Sequence, residues 1–244
     1  MTLQMSQPAL GIRRFDDVYT NSYLLEERGR LTLVDGGLPR DWKAFGSHIS
    51  ALGYEIEAID AVVITHHHPD HIGNAERFRS AGSRVFTHPA DADYVAGRKK
   101  LPVGPQLKAV LNPWYAQYLT RLLIKGITHV APVAHLETLA DGEVLDVPGS
   151  PRVVHVPGHT AGSCALLLEK DSVLLSGDAL VTTDVAKGKV RGPQIVRGPV
   201  TEDDAIAIES LDILAATGAR VVLPGHGEPW MDGVKSAVEI ARNT

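Results

Sequence analysis

Apolar and polar positions in the first hundred residues alternate between two periods. Tyr23-Leu24-Leu25-Glu26 and Leu31-Thr32-Leu33-Val34 flank Glu27-Arg28-Gly29-Arg30, which predicts two antiparallel strands joined by a tight turn. Trp42, Phe45, Ile49 and Leu52 then recur at helical spacing, with Gly53 placed to end the helix. The run Ala61-Val62-Val63-Ile64 predicts a buried strand, Ile72 to Ser80 a short helix, Arg84 to Thr87 another strand, and Pro89 to Ala96 a further helix. Strands alternating with helices in this way predict an α/β layered fold.

The rhythm breaks between Gly97 and Leu139. This stretch carries Trp114, Tyr115 and Tyr118, and Leu119, Leu122 and Leu123 continue their apolar face. A helical insertion at about 97–139 is expected, either covering an active-site cleft or packed on the core. From Glu143 the pattern turns strand-rich, with strands expected at Val144–Val147, Arg152–Val156, Ala165–Leu168 and Val173–Leu175. A loop from Asp178 to Val200 holds Lys187, Lys189, Arg191 and Arg197. Thr201-Glu202-Asp203-Asp204 resembles a capping box before a helix from Ala205 to Thr217, with Asp204 in place of the usual Glu. Val221-Val222-Leu223 reads as a last strand and Gly233 to Ala241 as a closing helix. With no linker, repeat or low-complexity stretch, one domain over residues 1–244 is the expected organisation.

Composition narrows the partners. A net charge of −5 leaves no basic face, so nucleic acid is not expected. The lone cysteine, Cys164, excludes an intrachain disulfide framework and any thiolate-rich metal site. Met1 to Leu10 lacks a signal-peptide core, and the apolar region Ala109 to Ala134 is interrupted too soon to span a membrane. The expectation is a soluble, cytoplasmic protein that acts on a small molecule, with a homodimer compatible with the aromatics around Trp114.

The chemistry is concentrated after the Ala61–Ile64 run. Thr65-His66-His67-His68-Pro69-Asp70-His71 places four of the chain's eleven histidines and one carboxylate in six consecutive residues. Four imidazoles and a carboxylate make a costly core, so metal binding is the leading reading. Three later strands end in polar turns of the same kind: Pro157-Gly158-His159-Thr160, Ser176-Gly177-Asp178 and Pro224-Gly225-His226-Gly227. Proline and glycine beside each His or Asp fix a turn and aim the side chain. Donors on separate strand ends can converge at one edge of the sheets.

His66-x-His68-x-Asp70-His71, followed in order by His159, Asp178 and His226, resembles the metallo-β-lactamase superfamily. The likeness runs from Asp35-Gly36-Gly37 to Gly225-His226-Gly227. It implies an αββα sandwich of two mixed β-sheets flanked by helices, with two metal ions at one edge. His66, His68 and His159 would hold one ion, Asp70, His71 and His226 the other, and Asp178 would bridge them. His67 falls at an unassigned position and is expected to point away. Asp35 matches the pattern's early aspartate, a partner for a metal-bound histidine or a turn residue. Two Zn2+ per chain suit these donors, with Mn2+ or Fe as alternatives.

The reaction implied is hydrolysis of an ester, lactone or thioester carbonyl by a metal-bound water, with Asp70 orienting the hydroxide and accepting its proton. Lactonases of this family usually carry a tyrosine three residues after the bridging aspartate; here that position is Val181. Trp114, Tyr115 and Tyr118 would line an apolar substrate pocket, and Lys187, Lys189 and Arg191 would grip an anionic one. Two alternatives stay open: a mononuclear-iron persulfide dioxygenase using His66, His159 and Asp178, and a β-lactamase-type amide hydrolase.

Overall fold

Period-two alternation sorts each strand's side chains between two faces, and that sorting sets the layers. In β3 (Thr20–Glu27) Leu24 joins one apolar cluster, whereas Tyr23 and Leu25 join another. In β5 (Ile59–Val63) Val62 faces the first cluster and Ala61 and Val63 the second. The computed structural model describes residues 2–17, 20–100, 113–185, 191–198 and 200–244, without the side chain of Arg191.

The first sheet has seven strands in chain order: β1 (Gln4–Ala9), β2 (Ile12–Asp17), β3, β4 (Arg30–Val34), β5, β6 (Arg84–Thr87) and β7 (Glu137–Thr138). β1 to β4 are antiparallel neighbours, and β4 to β7 run parallel, so the sheet is mixed. The turn between β3 and β4 places Arg28 at φ 54° and Gly29 at φ 78°, which matches the twist of a two-residue hairpin. A second sheet is formed by β8 (Arg152–His155), β9 (Cys164–Leu168) and β10 (Val173–Gly177), with β13 (Val221–Pro224) parallel to β10 at its edge.

Leu25, Val63 and Phe86 of the first sheet meet Val153, Leu166 and Leu175 of the second in the cluster between the sheets. Phe45, Ile49 and Phe78 cover the outer face of the first sheet from α1 (Trp42–Ala51) and α3 (Ala75–Ser80). Phe45 meets Phe15 and Phe78 edge-on, with ring centroids 5.1 and 5.7 Å away. Leu211, Leu214, Ala237 and Val238 cover the second sheet from α6 (Asp204–Ala216) and α7 (Val234–Arg242). The result is four layers, helix–sheet–sheet–helix, as the αββα expectation had it. No helix among the described residues is long and apolar enough to cross a membrane.

Several elements depart from the pattern read along the chain. The helix expected over Ile72–Ser80 is split: α2 (Pro69–Ile72) starts inside the histidine cluster and α3 follows after Gly73-Asn74. There the backbone turns to pair with the loop after β4, through Gly73 N–H to Gly37 O (3.0 Å) and Asn74 Nδ2 to Leu38 O (2.7 Å). A Cβ on Gly73 would sit 2.2 Å from Gly37 O, so only glycine permits that approach. Val144–Val147 is no strand; it makes one bridge, Val144 to Arg152, before the Pro148-Gly149 turn. The Asp178–Val200 loop contains two paired strands, β11 (Val181–Thr183) and β12 (Arg191–Gln194). The cap of α6 is Asp203, whose Oδ1 accepts from Ala205 and Ile206 N–H at 2.9 and 3.0 Å, and Thr201 is used elsewhere. The 97–139 stretch is not wholly helical. α4 (Pro89–Val95) precedes it, α5 (Pro113–Ile124) lies within it, and β7 joins the sheet; residues 101–112 lie outside the described residues.

Candidate metal centre

Five strands of the two sheets end at one edge, and the polar turns follow them. Asp35 follows β4, the 65–71 segment follows β5, His159 follows β8, Asp178 follows β10 and His226 follows β13. The turn at Gly225 is dictated by close approach, because a Cβ there would lie 2.1 Å from Asp178 Oδ1.

Two groups of donor atoms result: His66, His68, His159 and Asp178 form one, and Asp70, His71 and His226 the other. In the first, His68 Nδ1 lies 3.2 Å from His66 Nε2 and 3.0 Å from His159 Nε2. Asp178 stands between the groups. Its Oδ2 is 3.7 Å from His66 Nε2, 3.5 Å from His159 Nε2 and 3.0 Å from His226 Nε2, and its Oδ1 is 3.6 Å from His71 Nε2. In the second, Asp70 Oδ2 is 3.8 Å from His71 Nε2 and 3.6 Å from His226 Nε2.

The surrounding hydrogen bonds decide which nitrogen of each ring is free. Thr65 Oγ1 donates its one proton to Asp35 Oδ2 (2.9 Å), so it accepts from His66 Nδ1 (3.0 Å). Asp35 Oδ2 also accepts from His71 Nδ1 at 2.9 Å. Thr201 Oγ1 donates to Val196 O and therefore accepts from His159 Nδ1 at 3.0 Å. Each proton is thereby placed on Nδ1, and the Nε2 lone pairs of His66, His71 and His159 face the centre. His68 Nδ1 joins them as a lone pair when its proton sits on Nε2; with the proton on Nδ1 it would instead donate to one of the other two nitrogens. The 3.0–3.2 Å spacing from His68 Nδ1 to those two is close to the ~3.3 Å edge expected of ligands about 2.0–2.1 Å from a tetrahedral ion. His71 Nε2 and Asp178 Oδ1 are buried with no hydrogen-bond partner, as ligand atoms of an ion would be. The donor set suits a divalent metal.

Electrostatics divide the rings: the histidines of the first group are held neutral, whereas the carboxylates hold His71 and His226 toward the protonated form, so a bound ion would displace a proton from each. Burial, with help from His71, pushes the His66 imidazole well below its ordinary pKa, and burial and His159 do the same to His68. Burial pushes His159 down to about 4. Burial also opposes charge on His71, but Asp178, Asp70 and Asp35 outweigh it and hold that imidazole well above its usual range. His226 is raised by Asp178 against the same burial. Burial would raise Asp178, yet His226, His71 and His66 keep it well below the carboxylate range.

Above the donors is a cavity of about 250 Å3, lined at its base by His68, Asp70, Asp178 and His226 and at its sides by Tyr115, Leu119, Leu122, Val185 and Val196. α5 supplies much of the wall, burying Tyr115, Tyr118 and Leu122 on one face. The Tyr118 hydroxyl donates to Asp70 Oδ2 at 3.2 Å, as does Thr20 Oγ1 at 3.2 Å. Burial and Asp70 push the Tyr118 phenol well above its ordinary pKa, so it is a neutral donor. Trp114 Nε1 donates to Val185 O at 3.0 Å. Lys125, just past α5, ends between Asp17 and Asp41. Burial, with Asp17 adding to it, raises Asp41 to about 6 against the pull of Lys125.

His67 turns away from the donors. It stacks on Tyr94 at 4.2 Å between centroids, and its Nδ1 lies 3.1 Å from Asp91 Oδ2. Lys187, Lys189 and the Arg191 side chain lie outside the described residues. Sequence reasoning missed Thr20, Asp91 and Thr201; only Thr201 stood in a motif, and that motif suggested a helix cap.

The metallo-β-lactamase superfamily model matches residues 15–226. The chain is 27% identical to "Probable metallo-hydrolase YflN" of Bacillus subtilis (strain 168), over 91% of this chain and 86% of the relative. It is 30% identical to the uncharacterized protein Rv2581c of Mycobacterium tuberculosis, over 72% of each. Among solved structures, the metallo-beta-lactamase family protein TTHA1429 from Thermus thermophilus superposes with a TM-score of 0.70 at 30% identity, covering 99% of this chain and 78% of that one. The DIM-1 metallo-beta-lactamase shares the fold at 16% identity, with a TM-score of 0.69 over 100% of this chain and 96% of that one. By family model, relatives, fold and donor pattern together, the chain belongs to the metallo-β-lactamase superfamily.

Proposed function

We propose that the chain is a cytoplasmic, zinc-dependent hydrolase that binds two ions and cleaves esters, lactones or thioesters carrying an apolar group. The observation that carries the reading is the pairing of seven convergent donors with an apolar cavity directly above them. His66, His68 and His159 would hold one ion, Asp70, His71 and His226 the other, with Asp178 between. When bound, the ions supply hydroxide from coordinated water at neutral pH and polarise the scissile carbonyl.

The chain's own groups do the rest. The apolar wall from Tyr115 to Val196 seats the substrate's hydrocarbon part and excludes water from the reacting bond. Asp70 orients the attacking water and takes its proton, then returns it to the leaving oxygen or sulfur as the C–O or C–S bond breaks. Among the described residues lining the cavity there is no lysine or arginine. The apolar side wall supports a substrate with a hydrocarbon part. Two donor groups meeting at Asp178 favour two ions over the single iron of a dioxygenase.

The test is a panel of p-nitrophenyl esters, lactones, thioesters and β-lactams on enzyme loaded with zinc, manganese or iron. The expected result is ester, lactone or thioester turnover, rising about fourfold in kcat/KM per added CH2 until the cavity is full, since each buried CH2 is worth ~0.8 kcal/mol. Oxygen uptake on glutathione persulfide with one iron per chain, or hydrolysis confined to β-lactams, would overturn it.

A further inference from the structure

α5 brings a hydroxyl to the donor cluster from outside the strand-end turns. Tyr118 is buried, lines the cavity, and places its hydroxyl 3.2 Å from Asp70 Oδ2. That contact is long for an O–H···O bond, whose usual length is about 2.7–2.8 Å. The same oxygen already accepts from Thr20 Oγ1. Asp70 can thus release the phenol without losing its other hydroxyl donor.

Position 181, in the strand after Asp178, supplies no such donor: it is Val181, fully buried in β11. The side walls Leu119, Leu122, Ile127, Val185 and Val196 have no side-chain hydrogen to donate. Among the described residues, an oxygen of a substrate resting on the donors would therefore meet the Tyr118 hydroxyl at the only polar point of the α5 wall apart from Tyr115.

The phenol is also held in place. Four residues before it, Trp114 Nε1 bonds Val185 O; seven residues after it, Lys125 is clamped by Asp17 and Asp41. Arg40 adds a bond from its guanidinium to Ile124 O at 2.7 Å. A donor fixed at both ends of its helix needs little reorganisation as charge develops, which is the condition under which such donors count most.

We propose that Tyr118 is a catalytic residue that donates its hydroxyl hydrogen bond to the substrate's carbonyl oxygen as that oxygen gains negative charge. This rests on the hydrolase reading above. On substrate entry the hydroxyl turns from Asp70 Oδ2 to the carbonyl oxygen. The bond strengthens as water adds to the carbon and weakens when the C–O or C–S bond breaks, and no proton leaves the phenol.

The experiment compares wild type with Tyr118→Phe in the metal-loaded full chain. Tyr118→Phe should lower kcat about 100-fold or more with KM within about threefold, since losing one oxyanion donor costs about 10²- to 10³-fold. It should also weaken binding of n-butylphosphonate, a tetrahedral anion, about tenfold by calorimetry. Metal content and the visible spectrum of the cobalt-substituted protein should match wild type. Unchanged kcat and phosphonate affinity in an active wild type would overturn the assignment. Metal loss or an altered cobalt spectrum in the variant would also overturn it, by making Tyr118 a positioning group for Asp70. A wild type inactive on every ester, lactone and thioester would sink the hydrolase reading itself, which the phosphonate and cobalt measurements do not test.

Discussion

Asp35→Asn isolates one carboxylate that serves both donor groups. Asp35 is 2% exposed and sits at φ 63°, a left-handed conformation that asparagine adopts readily, so the exchange adds little backbone strain. Its Oδ1 accepts from Thr65 N–H at 2.8 Å, and the asparagine carbonyl can keep that bond. The amide nitrogen then occupies the place of Oδ2 and offers protons to Thr65 Oγ1 and His71 Nδ1, where the carboxylate accepted them. His71 is driven to carry its proton on Nε2, which removes the lone pair that faces Asp178. Thr65, no longer able to donate to residue 35, turns its proton toward His66 Nδ1 and reverses that ring too. Loss of such a supporting partner costs about 10- to 100-fold in metal affinity, or about 1.4–2.7 kcal/mol for each ion affected. Competition against a chromophoric chelator should show both ions weakened, the one near His71 more. Two ions held with wild-type affinity by Asp35→Asn would refute the tautomer argument.

His68→Ala should lose metal and turnover, whereas His67→Ala should keep both and lower Tm, because Asp91 is left buried without its imidazole; metal analysis with ester hydrolysis separates the two. Lys125→Met strands Asp17 and Asp41 in the interior and should cost about 3–5 kcal/mol at pH 8 by denaturant titration. Asp41 already titrates above an ordinary aspartate, near 6, so the native state tolerates its proton better than its charge, and the deficit should shrink toward pH 5. Chelator-stripped protein should be most stable near pH 6.5. Below that, the unfolded chain protonates His159 while the native ring stays neutral down to about 4, a loss of roughly 3 kcal/mol. Above it, the stability from the raised His71 and His226 is lost as pH climbs through their native values. Melting curves from pH 4 to 9 that rise steadily would contradict this.

The layering was legible because period-two alternation is a local signal. Leu24 against Tyr23 and Leu25, or Val62 against Ala61 and Val63, assigns two faces without knowledge of the partner. The donor residues were legible because proline and glycine flank them in fixed turns. Thr201 was misread because a hydroxyl two residues before an N-cap looks like the cap itself, and only the fold reveals His159 beside it. Asp91 and Thr20 carried no local mark at all; their roles arise from contacts with chain segments far away. The splitting of the helix at Gly73-Asn74 was likewise hidden, since the backbone that captures it comes from the loop after β4. The β11–β12 pairing was missed because the cationic residues of that stretch read as a loop reaching for an anion.

The seven donors draw on both sheets: the 65–71 segment comes from the first, and His159, Asp178 and His226 from the second. His68 and His159 alone are 91 residues apart in the chain, and closing a loop of that size costs on the order of 4 kcal/mol of chain entropy. Neither donor group is complete until the sheets have docked. Added metal should therefore leave the refolding rate nearly untouched and slow unfolding instead. In a stopped-flow chevron only the unfolding arm should move with zinc, which would make the ions a late fastening on the sandwich.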